Sequence, residues 1–192
     1  MLAVVPRVLG SLFYYPPHSE PAQYAQQDLP NLAAYFSWQK PEEINALCQA
    51  LPAPDSDQFS LLFEGVGDMP APPWGSVYLD PEHIVMGEST LAYRRFLHQN
   101  GIEVQLTSHE PEDHFGLMLL ALAHFIEQDQ ENAALVLFVD HLLPWAEQYL
   151  QQLKSACSAG DFYYGLATLA ECFLNELANS ITPSQTVMMT SC

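Results

Sequence analysis

Between Gly65 and Gly87 the chain carries eight glycines and prolines, at positions 65, 67, 70, 72, 73, 75, 81 and 87. Proline removes a backbone donor and glycine relaxes the backbone, so no long helix or strand can run through this stretch. Connections this long are commonly functional or disordered. Trp74, Val77, Tyr78 and Leu79 argue against disorder and predict an ordered, extended segment lying across the surface. The stretch is also the natural hinge between an amino-terminal and a carboxy-terminal helical part.

Both flanks read as helical. Val4, Val5, Val8, Leu9, Leu12 and Phe13 recur at three and four, and Pro16-Pro17 stops that run. Short helices interrupted by Pro30 are expected over 24–37. Another is expected over 42–51, opened by Pro41 and closed before Pro52, and one over 56–64. After the break, Ser89 is a good cap for a helix to His98, with Asn100-Gly101 as its stop. The strongest helix is expected over 111–128, with Pro111 in the first helical position and Glu110 near the cap. Asp113 would then reach back to free N–H groups. Two helices, or one kinked at Pro144, should cover 131–143 and 144–155, and a last helix 162–178. No strand series is visible. The expected fold is all-α, a compact single-domain helical bundle over 1–178, with an irregular central segment over 65–87 and a flexible tail over 179–192.

A bundle of this kind needs a core, and apolar residues make up 49% of the 192. No apolar run reaches the roughly 18 residues of a membrane span. The amino terminus lacks the basic region and cleavage site of a secretory signal, which predicts a cytoplasmic protein. The four cysteines have neither C-x-x-C nor zinc spacing. Cys48 and Cys172 read as small core residues, and Cys192 as an exposed terminal thiol.

Twenty-three acids face five bases, a formal net charge of −18. Such a surface repels nucleic acid and anionic membrane alike. It would attract a basic peptide and speed its encounter, although acidity can also serve solubility alone.

The densest polar cluster is His109-Glu110-Pro111-Glu112-Asp113-His114. Asp113 beside His114 invites an acid/base reading. Neighbours on a helix point about 100° apart, however, and His114 aligns with the apolar stripe of 117, 118 and 121. No nucleophile elbow accompanies the pair; Ser108 is adjacent but has no oxyanion donors. His109 and His114 are five apart, not the three or four that stack two metal ligands. No phosphate-binding glycine motif is present. Neither catalysis, a metal nor a cofactor is therefore expected. The best binding feature is Trp74, presented on the stiff Pro72-Pro73 backbone. Trp145, after Pro144, reads as core.

Glu110-Pro111-Glu112-Asp113-His114 is similar to the E-P-x-D-H signature of the TorD/DmsD/NarJ family of cytoplasmic maturation chaperones. Pro72-Pro73-Trp74-Gly75-Ser76-Val77-Tyr78-Leu79-Asp80, followed by Gly87-Glu88-Ser89-Thr90, resembles the P-P-W-G-S-V-W-L-D and G-D-S-T segments of the DmsD branch. Arg7 to Tyr15 and Leu143-Pro144-Trp145 match in the same order. Tyr78 stands where the branch often has Trp. The resemblance implies a non-catalytic chaperone that binds the twin-arginine leader of a molybdoenzyme precursor, of the dimethyl-sulfoxide-reductase type, and delays export until its cofactor is inserted. Two guanidinium groups beside an apolar stretch call for carboxylates and an apolar groove. At matched positions, Trp74, Tyr78 and Leu79 are the expected lining. Glu110, Glu112 and Asp113 are the expected charged rim, with Pro111 among them in the peptide-binding set, and His114 is the expected hydrogen-bonding or pH-sensitive contact. A monomer or a dimer that exchanges helical parts across 65–87 is expected. The rivals are a hydrolase using Asp113 and His114, and an acidic scaffold for another basic partner.

Overall fold

The computed structural model describes residues 2–102 and 110–181. His109, Ser108 and all but the first three residues of the expected tail lie outside them. The elements are α1 (Val4–Tyr14), α2 (Glu20–Asp28), a 3-10 turn (Leu29–Ala34), α3 (Pro41–Ala50), α4 (Ser56–Phe63), α5 (Gly75–Leu79), α6 (Glu88–Gln99), α7 (Phe115–Glu127), α8 (Glu131–Val136), a π-turn (Leu137–Leu142), α9 (Leu143–Ala156) and α10 (Phe162–Ser180). The fold is all-α, as the periodicity predicted. Among the described residues the only extended pairing is one antiparallel bridge, Trp74 with His114.

Proline explains several boundaries. Pro41 opens α3, and Pro30 sits in the first turn of the 3-10 segment. Pro144 has no N–H to offer the carbonyl four residues back. The chain widens into the π-turn just before it, so the expected kink is a change of helical pitch.

The pieces before and after 65–87 share one core. Helix α1 lies along α7 with backbones almost touching. A Cβ added to Gly10 would stand 2.7 Å from the carbonyl oxygen of Gly116, and one added to Gly116 2.8 Å from that of Gly10. Around this crossing Phe13 meets Phe115 edge-on at 5.0 Å, and Phe115 meets Trp145 at 5.8 Å. Trp145 is buried as expected, and so is Cys48; Cys172 is only partly covered. The described cysteines are free thiols.

Two helix starts differ from the sequence reading. Helix α7 begins at Phe115, not Pro111, and its cap is His114, whose Nδ1 accepts from the N–H of Gly116 at 3.1 Å. Helix α6 begins at Glu88 behind Gly87, and Ser89 spends its N–H and hydroxyl on Asp80 instead of capping. Both misplacements have one cause: local capping preferences were outbid by partners distant in sequence.

Candidate peptide-binding site

The three motif segments converge on one junction. The carbonyl of Pro73 accepts from the N–H of Phe115 at 2.7 Å, and the carbonyl of Asp113 accepts from the N–H of Gly75 at 3.1 Å. These two bonds stitch the Pro/Gly-rich segment to the turn that leads into α7. Proline suits position 73 because its carbonyl is used and no N–H is asked of it. Glycine suits position 75 because a Cβ there would lie 3.0 Å from the indole of the buried Trp145, closer than ordinary van der Waals contact.

Asp113 is 3% exposed, and its carboxylate is the centre of the junction. Its Oδ2 accepts from the N–H of Ser76 at 2.7 Å and from the Thr90 hydroxyl at 2.9 Å. Ser76 is the second residue of α5, so Asp113 caps that helix from 37 positions away, and not α7 as expected. Thr90 belongs to the first turn of α6, so one carboxylate ties two helix starts to a third. Burial raises its pKa, while the Ser76 and Thr90 bonds pull it down. Its Oδ1 and the hydroxyls of Ser76 and Tyr93 are buried in the same junction.

His114 is likewise buried, at 2% exposure, and does not face Asp113 as a catalytic pair would. The ring lies edge-on to Tyr14 at 5.2 Å and to Trp74 at 6.4 Å. Accepting from Gly116 leaves Nδ1 as the unprotonated nitrogen. Burial alone pushes the pKa of His114 down to about 3, so the ring is neutral at physiological pH. A buried neutral imidazole that caps a helix has no substrate to exchange protons with.

Glu110 and Trp74 form the accessible half of the site. The indole Nε1 donates to Glu110 Oε1 at 2.6 Å, and both side chains are half-buried. Burial raises the Glu110 pKa, the indole bond lowers it, and the charge of Asp113 raises it further. No lysine or arginine pairs with this carboxylate. Glu112 is different: Arg94 grips it with a fork of two bonds, 2.8 and 2.7 Å long. Pro111 is buried beneath the turn. Tyr78 stacks on Trp145, with ring planes 19° apart and centroids 5.5 Å apart, and its hydroxyl donates to Gln152 at 3.2 Å. Leu79 ends α5 exposed.

The expected site residues are thus brought together, but in two layers. Trp74, Leu79, Glu110 and one face of Tyr78 look outward; Pro111, Asp113 and His114 lie beneath; Glu112 is engaged by Arg94. Sequence reasoning missed Ser76, Thr90 and Arg94. Gly-Glu-Ser-Thr and Trp-Gly-Ser were visible as motifs, and their joint presence with the acidic cluster was the available signal. Nothing in the one-dimensional string pairs Thr90 with Asp113.

All five lysines and arginines pair with carboxylates: Arg7 with Glu127, Lys40 with Glu43, Arg94 with Glu112, Arg95 with Glu88 and Lys154 with Glu171. Among the other described acids only Asp113 is buried, so most of the net charge lies at the surface. Among the described residues no cluster of His, Cys, Asp and Glu could hold a metal, and no helix is long and apolar enough to cross a membrane.

The nitrate reductase delta subunit family model matches residues 22–151. The Tat proofreading chaperone DmsD of Salmonella typhimurium is 38% identical over 173 residues, covering 88% of this chain and 84% of that protein. The chaperone of the same name from Salmonella typhi is 37% identical over the same shares. A crystal structure of a redox enzyme maturation protein from Archaeoglobus fulgidus shares the fold, with a TM-score of 0.59, 17% identity, and coverage of 91% of this chain and 93% of that one.

Proposed function

Since this chain belongs to the nitrate reductase delta subunit family, as a redox-enzyme maturation chaperone and not an enzyme, we propose that its Trp74–Glu110 site binds the twin-arginine leader of a precursor. The client would be a molybdopterin-dependent reductase of the dimethyl-sulfoxide-reductase type, held in the cytoplasm until cofactor insertion. The observation that carries this reading is the half-buried Glu110 carboxylate, fixed by Trp74 and left without a cation of the protein's own. A guanidinium docking there would gain a charge-assisted bond in a partly desolvated place. Trp74 would supply a flat ring for stacking, and Leu79 an apolar edge.

The buried layer acts through the outer one. Asp113 holds α5 and α6 to the turn, His114 packs under Trp74, and Pro111 stiffens the approach. Glu112 would contribute charge only if Arg94 released it. The hydrolase reading loses its basis with Asp113 and His114, which are buried and hold Ser76, Thr90 and Gly116. An acidic scaffold for any basic partner predicts binding by charge alone, and this separates it by experiment.

Calorimetric titration with a synthetic leader carrying Arg-Arg, against versions with Lys-Lys and Gln-Gln, tests the reading. A lysine keeps charge but lacks the planar fork, so affinity should fall from Arg-Arg to Lys-Lys to Gln-Gln. It should also weaken with salt, over a screening length of about 10 Å at 0.1 M. Equal binding of all three peptides, or equal binding of unrelated basic peptides, would refute it.

A further inference from the structure

Arg94 and Arg95 are consecutive arginines in the middle of α6, and the leader-binding reading makes no use of them. The two differ in what they hold. Arg95 reaches Glu88 with one bond of 3.3 Å, and both side chains stand mostly in water, 62% and 78% exposed. Arg94 grips Glu112 with a planar fork, Nε to Oε1 at 2.8 Å and Nη2 to Oε2 at 2.7 Å. Glu112 is 12% exposed in this grip, while Arg94 itself is 45% exposed.

Glu112 belongs to the outer face of the site. Burial alternates along the turn: Glu110 and Glu112 are partly exposed, Pro111 and Asp113 buried. Two outer carboxylates thus stand two residues apart on one side of the turn. One is held by the indole of Trp74; the other already holds a guanidinium, which shows the ligand its geometry fits. Glu112 also lines a cleft of about 340 Å³ where α6 meets α7, with Tyr93, Leu97 and Leu117. That volume lies at the lower end for ligand pockets and leaves room for a second side chain beside Arg94.

The turn does not depend on the fork. Thr90 lies one helical turn before Arg94 on the same face of α6, and its hydroxyl already ties α6 to the buried Asp113 carboxylate at 2.9 Å. The Ser76 N–H holds the same carboxylate from α5 at 2.7 Å. These buried bonds fix the frame, and a half-exposed ion pair adds little to it. An incoming guanidinium that replaced Arg94 would restore both bonds to Glu112, so the exchange is close to neutral in energy.

We propose that Arg94 is a built-in competitor of the leader: one arginine of the leader pair is held at Glu110, the other takes Glu112 from Arg94, and Arg94 takes Glu112 back as the leader departs. This rests on the leader-binding reading and assigns a regulation to that same site. A chaperone that delays export must also let its client go. Two carboxylates held by two arginines make a long-lived complex, because one bond keeps the leader in place while the other re-forms. With Arg94 beside it, the bond at Glu112 is closed by the protein's own guanidinium as soon as it opens. The contact therefore shortens the life of the complex and leaves the rate of encounter to the overall charge.

Stopped-flow kinetics on the full chain test this, with one leader carrying Arg-Arg and one carrying Arg-Gln. Arg94→Gln and Arg95→Gln each remove one positive charge from neighbouring positions of α6, so both should speed association alike. Only Arg94→Gln should slow dissociation of the Arg-Arg leader, by about threefold relative to Arg95→Gln, the size expected of a half-exposed ion pair. The Arg-Gln leader seats one guanidinium and should leave both variants at like rates. With Glu112→Gln as the background, Arg94→Gln should no longer slow dissociation. In the native protein the Arg94 Nε–H, followed by nuclear magnetic resonance, should exchange slowly with water in the free state and severalfold faster once the Arg-Arg leader is bound. Equal dissociation of that leader from the two variants overturns the proposal. So does faster dissociation from Arg94→Gln, which makes Arg94 part of the frame, and so does a slowing that persists in the Glu112→Gln background. If Arg94→Gln does not fold, the exchange measurement on the native protein decides alone, and an Arg94 N–H that stays protected in the complex overturns the proposal. All of these results leave leader binding at Glu110 standing. A native protein that binds Arg-Arg no more tightly than Gln-Gln ends the leader reading itself and this proposal with it.

Discussion

Acidification should destabilise this protein through His114, by an amount that follows from its burial. The ordinary imidazole pKa of 6.5 falls to about 3 in the folded chain. The folded state therefore excludes a proton that the unfolded state binds. The contribution is fully present above 6.5 and is lost as pH falls through the window from 6.5 toward 3. Each pH unit inside that window is worth up to about 1.4 kcal/mol, so going from pH 7 to pH 5 should cost about 2 kcal/mol. Asp113 and Glu110 oppose it, because burial raises their pKa values and the folded state holds their protons more readily. Their stabilisation grows on acidification, just above the ordinary carboxylate range. His114→Asn isolates the imidazole. Asparagine keeps an acceptor at a cap position but cannot titrate, and both carboxylates remain. It loses the two edge-on contacts with Tyr14 and Trp74, each worth about 0.5–1.5 kcal/mol. Stability at pH 7 should fall by about 1–3 kcal/mol on that account. Urea unfolding of both proteins at pH 7, 6 and 5 gives the comparison. The native protein should lose about 2 kcal/mol more than the variant between pH 7 and 5. Parallel pH profiles would refute the reasoning, because the imidazole would then titrate alike in both states.

Asp113→Ala leaves the Ser76 N–H and the Thr90 hydroxyl without their acceptor, so it should cost about 2–5 kcal/mol in urea unfolding, whereas Asp113→Asn, which keeps an oxygen in place, should cost less than half of that. Gly10→Ala drives a methyl group into the backbone of Gly116, which cannot give way as a flexible side chain can; thermal unfolding should show a loss of about 1–3 kcal/mol or more. Trp74→Ala should lower leader affinity by more than about 1 kcal/mol in calorimetry, with an unchanged far-ultraviolet dichroism spectrum, since the ring is only half-buried; an unfolded variant would make Trp74 a core residue instead. Dimers should form by exchange of the helical parts on either side of 65–87, rebuilding the α1–α7 crossing between chains, so refolding at rising concentration followed by size exclusion should yield dimers that revert slowly.

The helices were legible because each reports its own periodicity and its own prolines. Val4 to Phe13 needs no knowledge of its neighbour to show an apolar stripe, and Pro16-Pro17 ends it in any context. The break at 65–87 was equally local. Within it, α5 was missed because five residues around Gly75 are too few to signal a helix, and what starts that helix is Asp113. The same error appears twice over. Pro111 and acidic neighbours are good helix openers by intrinsic preference, yet that turn is spent on bonds to Pro73, Gly75, Ser76 and Thr90. Ser89, a good cap by composition, is taken by Asp80.

Motif resemblance offered most of the residues that cluster at the site, though not Ser76, Thr90 and Arg94; the sequence by itself determined the all-α class, the place of the irregular segment and the acid excess. These follow from short-range backbone preference, from the spacing of apolar positions and from counting charge. Only the tertiary structure decided which of the site residues face solvent and which hold the frame. A carboxylate's role depends on whether water or a buried N–H surrounds it, and that depends on which segments meet. Glu110, Glu112 and Asp113 are near neighbours of like chemistry in the chain. One is cradled by an indole at the surface, one is gripped by Arg94, and one is buried among two helix starts.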